Sequence, residues 1–380
     1  MRGLAITERG IEDICAKEVK ELINADAEIR ESCVAFNVKK LPDLCLLCYR
    51  AQSVSRILFL FEDFSLDGDL FGKINGKIGK VDFSGWLDKG TSFAVRCLKD
   101  GNVASAAEIE KKAGEFVIDN IKKNKKYRQE VNLIQPDVLF VVYINQGRCY
   151  FGIDFSGFDL SKRGYKIFMH PASLKGTIAY ALARIAEFRK KDSLLDPFTG
   201  SGMIPTEASL FALNFPVNFY NKDKFAFLKL IPLKNFDFGR FFRQADKKIR
   251  KEKLSVYGYD NSMKFVQYAK KNAKIAGIDK QLNFSRVDVE WLDIKFKKGS
   301  VDKIAADMPA LSKYNKDIEK AYKELFYQSD YILKKDGILV VLVRDLSLIK
   351  GLCAEYNFKT IEQRKVYSGK QELLAVKLKK

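Results

Sequence analysis

The chain has 380 residues, 47% of them hydrophobic, and this length predicts more than one globular domain. Its 67 Lys and Arg residues against 48 Asp and Glu give a net charge of +19, which favours a polyanionic partner, nucleic acid first and an acidic membrane surface second, with a generic basic surface as the alternative. No apolar run approaches the roughly 18 residues of a membrane span, and charged residues interrupt the first ten positions. The expectation is therefore a cytoplasmic protein with no membrane segment.

The first half of the chain has the pattern of a small α+β region. Apolar residues at helical spacing predict a helix over residues 5–24 with Thr7 as its N-cap. Ser105 and Glu108 have capping-box spacing and open another helix, which runs into the basic stretch K-K-N-K-K-Y-R at 122–128. Strands are predicted at 54–62, 91–98, 137–145 and 148–154.

The seven cysteines are scattered without a disulfide framework, which argues for a reducing compartment. Cys45 and Cys48 have C-x-x-C spacing, but no second pair follows and the single histidine, His170, is distant in sequence. A zinc site needs about four ligands, so no metal site is predicted. The two cysteines are interpreted as part of a buried helix face.

The composition changes at 155–166, where the sequence becomes basic and rich in turn residues, and strands and helices alternate after it. That alternation predicts a parallel sheet with crossover helices. Residues 214–254, rich in Phe, Asn and Lys, do not fit it and are interpreted as an insertion. Helices are predicted at 173–189 and 316–334, and strands at 193–196, 255–259, 282–286, 302–306, 337–344 and 371–378.

The stretch L-L-D-P-F-T-G-S-G at 194–202 ends a strand on Asp196 and continues through Gly200 and Gly202 into a helix from about Met203. Ligands of doubly wound sheets bind at such strand ends, where glycines let the backbone approach the ligand and a helix offers unpaired N–H groups. It has neither a Walker lysine nor the G-x-G-x-x-G spacing. An ordinary turn is the alternative.

Three further acids follow the predicted strands: Asp260, Asp288 and Asp307. Each alone is as well explained as a helix N-cap or a loop residue. Four acids at successive strand ends, however, would converge on one edge of the sheet. Asp307 opens the turn D-M-P-A, which Pro309 helps to fix.

With these features placed, the chain resembles class I S-adenosylmethionine-dependent methyltransferases, and more narrowly the THUMP-domain RNA methyltransferases that form N2-methylguanosine in tRNA. D-P-F-T-G-S-G-M-I-P-T-E-A at 196–208 is similar to their D-P-x-C-G-S-G-T-x-x-x-E-A motif. The linker at 160–166 with the helix at 170–179, the segment 224–230 and Y-G-Y-D-N-S at 257–262 resemble further family motifs in the expected order. F-A-V-R-C-L-K-D-G at 93–101 and S-A-A-E-I-E-K-K-A-G at 105–114 resemble a THUMP domain.

The resemblance implies an α/β fold: a Rossmann-like class I methyltransferase domain with a seven-stranded, mostly parallel, doubly wound sheet, preceded by an α+β THUMP-containing domain. The implied divisions are a ferredoxin-like region at 1–60, a THUMP RNA-binding domain at 61–155, a linker with the first methyltransferase helix at 156–190, and the methyltransferase domain at 191–380 with its insertion at about 214–254.

The resemblance also implies roles for matching positions. Asp260 would hold the ribose hydroxyls of S-adenosylmethionine and Asp288 its adenine amine. The implied cofactor-binding set is Asp196, Thr199, Gly200, Ser201, Gly202, Asp260, Asn261, Asp288 and Val289. The implied catalytic residues are Asp307 and Pro309, standing in the family's [N/D]-P-P-[Y/F] motif, where an acid or amide and a backbone carbonyl accept the hydrogens of the target amine. No metal is implied.

The chain departs from that motif because Met308 replaces the first proline and Ala310 replaces the aromatic that stacks on the flipped base. Stacking is worth roughly 1–3 kcal/mol, so its loss needs an explanation. Tyr314 supplies the platform, or Met308 packs on the base, or the site has lost activity.

The implied partner is tRNA, bound by a monomer, with an acceptor-stem guanosine as the expected target. Predicted tRNA contacts are Lys122, Lys123, Lys125, Lys126, Arg128, Lys162, Arg163 and Tyr314. Solvated helix-end lysines are the alternative for each basic residue. Two alternatives stand for the whole chain: a non-catalytic tRNA-binding protein with a degenerate methyltransferase domain, and a methyltransferase for another base of tRNA or ribosomal RNA.

Overall fold

The structure of the protein is a computed structural model that describes residues 1–101, 103–310 and 316–380, without the side chain of Lys316. The chain forms two compact units. Unit 1 consists of Met1–Thr7, Cys15–Leu160 and Tyr220–Ala245, and unit 2 consists of Glu8–Ile14, Ser161–Phe219 and Asp246–Lys380.

The strands of the described residues form two sheets. They are β1 Arg2–Thr7, β2 Ala27–Arg30, β3 Cys33–Asn37, β4 Val54–Ser65, β5 Ser92–Lys99, β6 Glu130–Val131, β7 Val138–Asn145, β8 Arg148–Asp154, β9 Leu194–Asp196, β10 Val256–Asp260, β11 Asn283–Arg286, β12 Val301–Asp307, β13 Leu333–Val343, β14 Lys359–Ser368 and β15 Gln371–Lys379. The α-helices are α1 Glu12–Ile23, α2 Leu41–Arg50, α3 Leu70–Ile78, α4 Ala106–Lys125, α5 Gly176–Ile185, α6 Met203–Ala212, α7 Phe238–Asp246, α8 Met263–Ile275, α9 Leu292–Lys295, α10 Lys316–Ile332 and α11 Ser347–Glu355.

Unit 1 contains an eight-stranded mixed sheet in the order β2-β3-β1-β4-β8-β7-β5-β6. β7 and β8 form a hairpin as predicted, because Gln146 and Gly147 both take positive φ, the backbone that a two-residue hairpin turn needs. The predicted N-cap of α4 is also confirmed: the Ser105 hydroxyl accepts a hydrogen bond from the Glu108 N–H at 3.1 Å.

Two sequence-based predictions for unit 1 are corrected. The predicted helix over 5–24 begins later, because Thr7 closes β1, which pairs with both β3 and β4, and α1 starts only at Glu12. The predicted domain border at residue 60 falls inside β4, which pairs with β1 on one side and β8 on the other. The first two predicted regions therefore share one sheet.

The insertion at about 214–254 contributes residues 220–245 to unit 1. The Phe227 N–H donates to the Phe155 carbonyl at 3.2 Å, and the Phe225 ring lies edge-on to Tyr49 with centroids 6.4 Å apart. The phenylalanine-rich composition that sets the segment apart in sequence is thus used to pack it on unit 1.

Unit 2 contains the seven-stranded sheet that the resemblance implies, in the order β11-β10-β9-β12-β13-β15-β14. β9 to β13 pair in parallel, and β14 and β15 complete the sheet as antiparallel strands. Along β13, Val340 and Leu342 face one core while Val341 and Val343 face the other. Burial on both faces explains why this strand is continuously apolar.

The end of α10 differs from the sequence-based prediction, which continued the helix to 334 and began the strand at 337. The helix ends at Ile332 and β13 begins at Leu333, whose backbone pairs with Val301 of β12. Strand pairing thus overrides the polar pattern of Lys334, Lys335 and Asp336.

Cys45 and Cys48 are fully buried on α2, as predicted for a buried helix face. Within the described ranges, no cluster of three His, Cys, Asp or Glu side chains is arranged to hold a metal ion. Among the described helices, none has the length and apolar composition needed to cross a bilayer.

Candidate active site

A cavity of about 440 Å³ opens at the carboxyl ends of β9, β10 and β12 in unit 2. These strands are adjacent, and the chain order reverses between β9 and β12, the place where doubly wound sheets bind ligands. Of the residues singled out in the sequence, the structure brings together around this cavity Asp196, Thr199, Gly200, Ser201, Asp260, Asn261, Asp307, Met308, Pro309 and Ala310.

The glycine loop between β9 and α6 is held to the sheet by its own backbone. The Thr199 N–H donates to the Tyr259 carbonyl at 2.8 Å, and the Gly202 N–H donates to the Thr199 carbonyl at 2.7 Å. Gly200 has φ +49° and lines the cavity, where a Cβ atom would meet nothing closer than His170 at 3.5 Å. The loop therefore presents backbone, rather than side chain, to the cavity at Gly200.

Gly202, which the resemblance assigns to the cofactor, packs against another helix in the structure, and its contact with the cofactor stays a prediction. It has φ +83° and lies outside the cavity wall, and a Cβ atom there would stand 2.8 Å from the Cβ of Ala269 on α8. A glycine is required here by the close packing of α6 against α8.

Asp260 ties the glycine loop to the end of β10. One carboxylate oxygen accepts the Gly200 N–H at 3.0 Å, and the other accepts the Ser262 N–H at 2.9 Å. A carboxylate has about four acceptor positions, so Asp260 can accept further hydrogen bonds from a ligand in the cavity.

Asp288 and Val289 do not line the cavity. The Asp288 carboxylate caps the short turn Val289–Trp291 and accepts the Glu290 N–H at 3.3 Å. The implied contact with the cofactor's adenine therefore stays a prediction.

Asp196 is 1% exposed and accepts the Phe198 N–H at 3.2 Å. Burial raises the pKa of this carboxyl well above its usual value, and the charges of Asp307 and Asp260 add to the effect. The base of the cavity is thus a place where a second negative charge is unfavourable and a cationic group is favoured.

Asp307 is the acid at the end of β12 and has an unsatisfied oxygen. Its Oδ1 is buried and accepts no hydrogen bond from any residue that the structure describes. Burial raises the pKa of this carboxyl to about 6, and the charge of Arg344 opposes that rise. A buried acceptor without a partner is costly, so a bound donor would be strongly favoured here.

The turn after Asp307 is fixed by side chains from two other elements. The Arg344 guanidinium, just after β13, donates to the Met308 carbonyl at 3.1 Å. The Tyr322 hydroxyl on α10 donates to the Pro309 carbonyl at 3.0 Å, and the Met308 N–H donates to the Leu342 carbonyl at 2.9 Å. The backbone that follows the acid is therefore held at three points.

The sequence-based reasoning missed Arg344 and Tyr322. Arg344 has the same signal as the strand-end acids, since it is the charged residue that follows the apolar run of β13. Tyr322 carries no such signal, because its spacing on α10 is that of an ordinary core residue.

The structure speaks against one of the three explanations for the altered D-M-P-A motif. Met308 is 1% exposed and packs in the hydrophobic core beneath the sheet, so it does not offer its side chain to a base. Ala310 is exposed. Tyr314 lies outside the described residues. The described rings in the cavity wall are those of Phe198, Phe265 and His170.

Arg163 is corrected from a predicted tRNA contact to a structural residue. Its side chain is 1% exposed, and its guanidinium pairs with Glu207 of α6 through contacts of 2.7 and 3.2 Å. The Tyr165 hydroxyl also donates to Glu207. A buried charge pair of this kind has no freedom to reach a phosphate. Lys122, Lys123, Lys125, Lys126, Arg128 and Lys162 are all exposed.

Residues 163–374, more than half of the chain, match the model of the RMKL-like methyltransferase domain. The chain belongs to the RMKL-like methyltransferase domain family. In unit 1, residues 71–154 match the THUMP domain. The cavity described above thus lies within the matched methyltransferase domain.

Similar proteins cover almost the whole chain. A tRNA (guanine(6)-N2)-methyltransferase of Methanocaldococcus jannaschii is 29% identical over 371 residues, 95% of each chain. An enzyme of the same name from Archaeoglobus fulgidus is 29% identical over 377 residues, 97% of this chain and 90% of that one. The crystal structure of SMU.472, complexed with SAH, has a TM-score of 0.82 at 20% identity, covering 99% of this chain and 97% of that chain.

For an RMKL-like methyltransferase domain, the arrangement has a clear chemical capability. The glycine loop, the strand-end acids Asp196 and Asp260, and the turn that begins at Asp307 all line the same cavity. Such a site can hold a nucleoside-like ligand beside a group that donates hydrogen bonds.

Proposed function

We propose that this chain is an S-adenosylmethionine-dependent tRNA methyltransferase that forms N2-methylguanosine at an acceptor-stem guanosine. Its membership of a methyltransferase family, its THUMP domain and the names of its near full-length relatives support this proposal. The single observation that carries it is Asp307, a residue of the cavity wall whose buried Oδ1 has no partner among the described residues.

The residues of the cavity fit the cofactor. A volume of about 440 Å³ suits a small-molecule site, and the glycine loop offers backbone at Gly200. In the proposal, Asp260 accepts the ribose hydroxyls and Asp196 faces the cationic end of the ligand. Thr199, Ser201 and Asn261 complete the wall, with Asp288 and Val289 near the adenine and Gly202 supporting the loop from behind. S-adenosylmethionine, when bound, supplies an electrophilic methyl group.

The chain's own contribution is to orient the attacking amine. Asp307 accepts one N–H of the guanine amine, and it does so as a carboxylate above a pH of about 6. The carbonyls of Met308 and Pro309, held by Arg344 and Tyr322, each keep a second acceptor position for the other N–H. The nitrogen lone pair then points into the cavity. Positioning of this kind supplies much of the acceleration of an in-line transfer.

Asp307 also offers a place for the proton that the amine nitrogen loses. A carboxylate whose pKa is raised to about 6 takes a proton more readily than an ordinary one and releases it near neutral pH. Burial of the Asp307 Oδ1 limits the competition of water for this acceptor.

The proposed tRNA contacts are the exposed basic residues at the end of α4, Lys122, Lys123, Lys125, Lys126 and Arg128, with Lys162 ahead of the methyltransferase domain. A THUMP-containing unit would recognise the shape and single-stranded end of the RNA more than its sequence. Tyr314 keeps its proposed place against the target base.

The direct test is incubation of the full chain with labelled S-adenosylmethionine and total tRNA, followed by nucleoside analysis. The expected product is N2-methylguanosine. Asp307→Ala is expected to abolish transfer while leaving cofactor affinity in calorimetry within about twofold of wild type, because the residue acts on the amine. Asp336→Ala, an exposed carboxylate at the far end of β13, is the matched control and keeps full activity. Transfer near the wild-type rate in Asp307→Ala would refute the assigned role.

A non-catalytic tRNA-binding protein is the second candidate function. The observation in its favour is Ala310, which leaves the motif without its aromatic. Calorimetry with S-adenosylmethionine distinguishes this candidate from the enzyme proposal, because absence of cofactor binding would refute the enzyme proposal. A different methylated nucleoside in the tRNA or ribosomal RNA digest would instead change the substrate and keep the chemistry.

A further inference from the structure

A row of aromatic rings leads out of the cavity along α8. The His170 and Phe265 rings, both in the cavity wall, lie edge-on with centroids 4.3 Å apart. Phe265 is followed by Tyr268 at 6.1 Å, and Tyr268 by Phe168 at 5.6 Å. The row thus begins in the cavity wall and continues onto the partly exposed surface of unit 2.

Lysines accompany this row. Lys271 Nζ lies 4.7 Å from the centroid of the Phe168 ring, and Lys264 Nζ lies 5.8 Å from that of Tyr268 and 5.9 Å from that of Phe265. We call Phe168, Lys264, Tyr268 and Lys271 the α8 surface.

The helix that carries the α8 surface is cationic throughout. Its sequence M-K-F-V-Q-Y-A-K-K-N-A-K-I includes Lys264, Lys270, Lys271 and Lys274 and no acidic residue. Its buried side is formed by small and apolar residues and Asn272, so all four lysines project from the exposed side. Such a helix face repels cations and attracts a polyanion.

Apolar side chains beside the α8 surface are also exposed. Ile167 and Met169, which flank Phe168, are each 61% exposed, and Met263 at the start of α8 is 50% exposed. A solvated helix face explains lysines, but it does not explain aromatic and apolar side chains in the same place. A partner with flat apolar groups and regularly spaced negative charges explains both features.

We propose that the α8 surface binds unpaired nucleotides of the RNA next to the target base, with bases against Phe168 and Tyr268 and phosphates near Lys264 and Lys271. Stacking rings combined with backbone-tracking cations are the means by which proteins hold single-stranded nucleic acid. The inference deepens the proposed function and rests on it for the identity of the RNA. It assigns a substrate role to residues outside the cavity.

Two double variants test the two components separately. Phe168→Leu with Tyr268→Leu removes the stacking rings and keeps apolar bulk. Lys264→Gln with Lys271→Gln removes two charges. Lys297→Gln with Lys298→Gln is the matched control, because these exposed lysines precede β12 and so stand at the opposite edge of the sheet from Asp307.

The measurements use the full chain with total tRNA and, separately, with a single-stranded decaribonucleotide, at several salt concentrations. The aromatic variant is expected to raise the dissociation constants for tRNA and for the decaribonucleotide roughly tenfold or more, since each stacked base contributes about 1–3 kcal/mol. The slope of log K against log salt for RNA binding should be the same in the aromatic variant as in the wild type. The lysine variant is expected to reduce the slope of log K against log salt by about 1.4, or roughly 0.7 for each lost phosphate contact.

S-adenosylmethionine affinity and kcat at saturating tRNA should stay within about twofold of the control in both variants, so that the defect is confined to RNA. The proposal is overturned if both variants bind the decaribonucleotide as the control does, or if the wild type binds none. Failure of the proposed function has a different signature, namely RNA that binds through the α8 surface but is not methylated. A variant that loses cofactor affinity as well would show that the surface is structural and would also overturn the proposal.

Discussion

At the scale of single residues, the site depends on one carboxylate that the fold leaves unsatisfied. Asp307 is held at a strand end with a buried oxygen that no described residue satisfies, although two donors, Arg344 and Tyr322, bind the turn that directly follows it. Both donors bind backbone carbonyls of the following turn instead. The Asp307 Oδ1 is therefore available to accept a hydrogen bond from a ligand, while Arg344 and Tyr322 fix the backbone beside it.

Arg344 gives a prediction about pH. Because its charge lowers the pKa of Asp307, Arg344→Gln is expected to raise that pKa above about 6 and to move the acidic limb of the kcat/KM profile to higher pH. Activity requires the carboxylate, so it falls as pH decreases through the pKa. Asp196 and Tyr322 also face Asp307 and are unchanged in the variant.

Arg344→Lys keeps the charge and is expected to leave the acidic limb near its wild-type position. At the plateau pH, Arg344→Gln should lose roughly 10- to 100-fold in kcat, because a misplaced reacting group costs this much. Arg189→Gln, an exposed arginine after α5, serves as the control. Identical acidic limbs in the Gln and Lys variants would contradict the electrostatic role.

At the scale of elements, the site is made by the ends of parallel strands and the loop that follows β9. The Asp260 carboxylate accepts a hydrogen bond from the Gly200 N–H, which fixes the glycine loop to the end of β10. Gly202 lets α6 begin against α8. The two glycines of one motif therefore serve different purposes, one facing the cavity and the other the packing of two helices.

This difference predicts opposite phenotypes for two alanine substitutions. Gly202→Ala places a Cβ atom 2.8 Å from that of Ala269 at φ +83°, and is expected to lower the free energy of unfolding by roughly 2–4 kcal/mol. Gly200→Ala should cost about 1 kcal/mol for its left-handed backbone and weaken cofactor binding, since its Cβ enters the cavity. Urea unfolding and calorimetry measure the two effects. Equal losses of stability would contradict the assignment.

At the scale of the whole molecule, the net charge of +19 predicts how RNA binding responds to salt. If tRNA is held through many phosphate contacts, raising salt from about 50 to 200 mM should weaken its binding by roughly 10³-fold, because condensed counterions are released on binding. S-adenosylmethionine affinity should change little over the same range. Filter binding measures the tRNA affinity and calorimetry measures the S-adenosylmethionine affinity on the same preparation. A tRNA affinity that does not change with salt would contradict binding through many phosphate contacts.

Much of the methyltransferase sheet could be predicted from the sequence. The apolar runs of β9, β12 and β13, the glycines after β9 and the acids that end β9, β10 and β12 are local patterns, and local backbone preference is enough to place them. Their order along the chain also fixes which strand ends share an edge. The resemblance to a methyltransferase family rests on the same local motifs.

The tertiary structure alone decided the features that depend on residues distant in sequence. Arg163 has the sequence context of an RNA contact and becomes a buried partner of Glu207, while residues 220–245 leave their sequence neighbours to pack in unit 1. Arg344 and Tyr322 reach the turn at 308–309 only because β13 and α10 are folded beside β12. A pattern of residue types specifies which residues are apolar or charged, but the cost of burying a charge or leaving an acceptor unpaired is settled only by what packs against it.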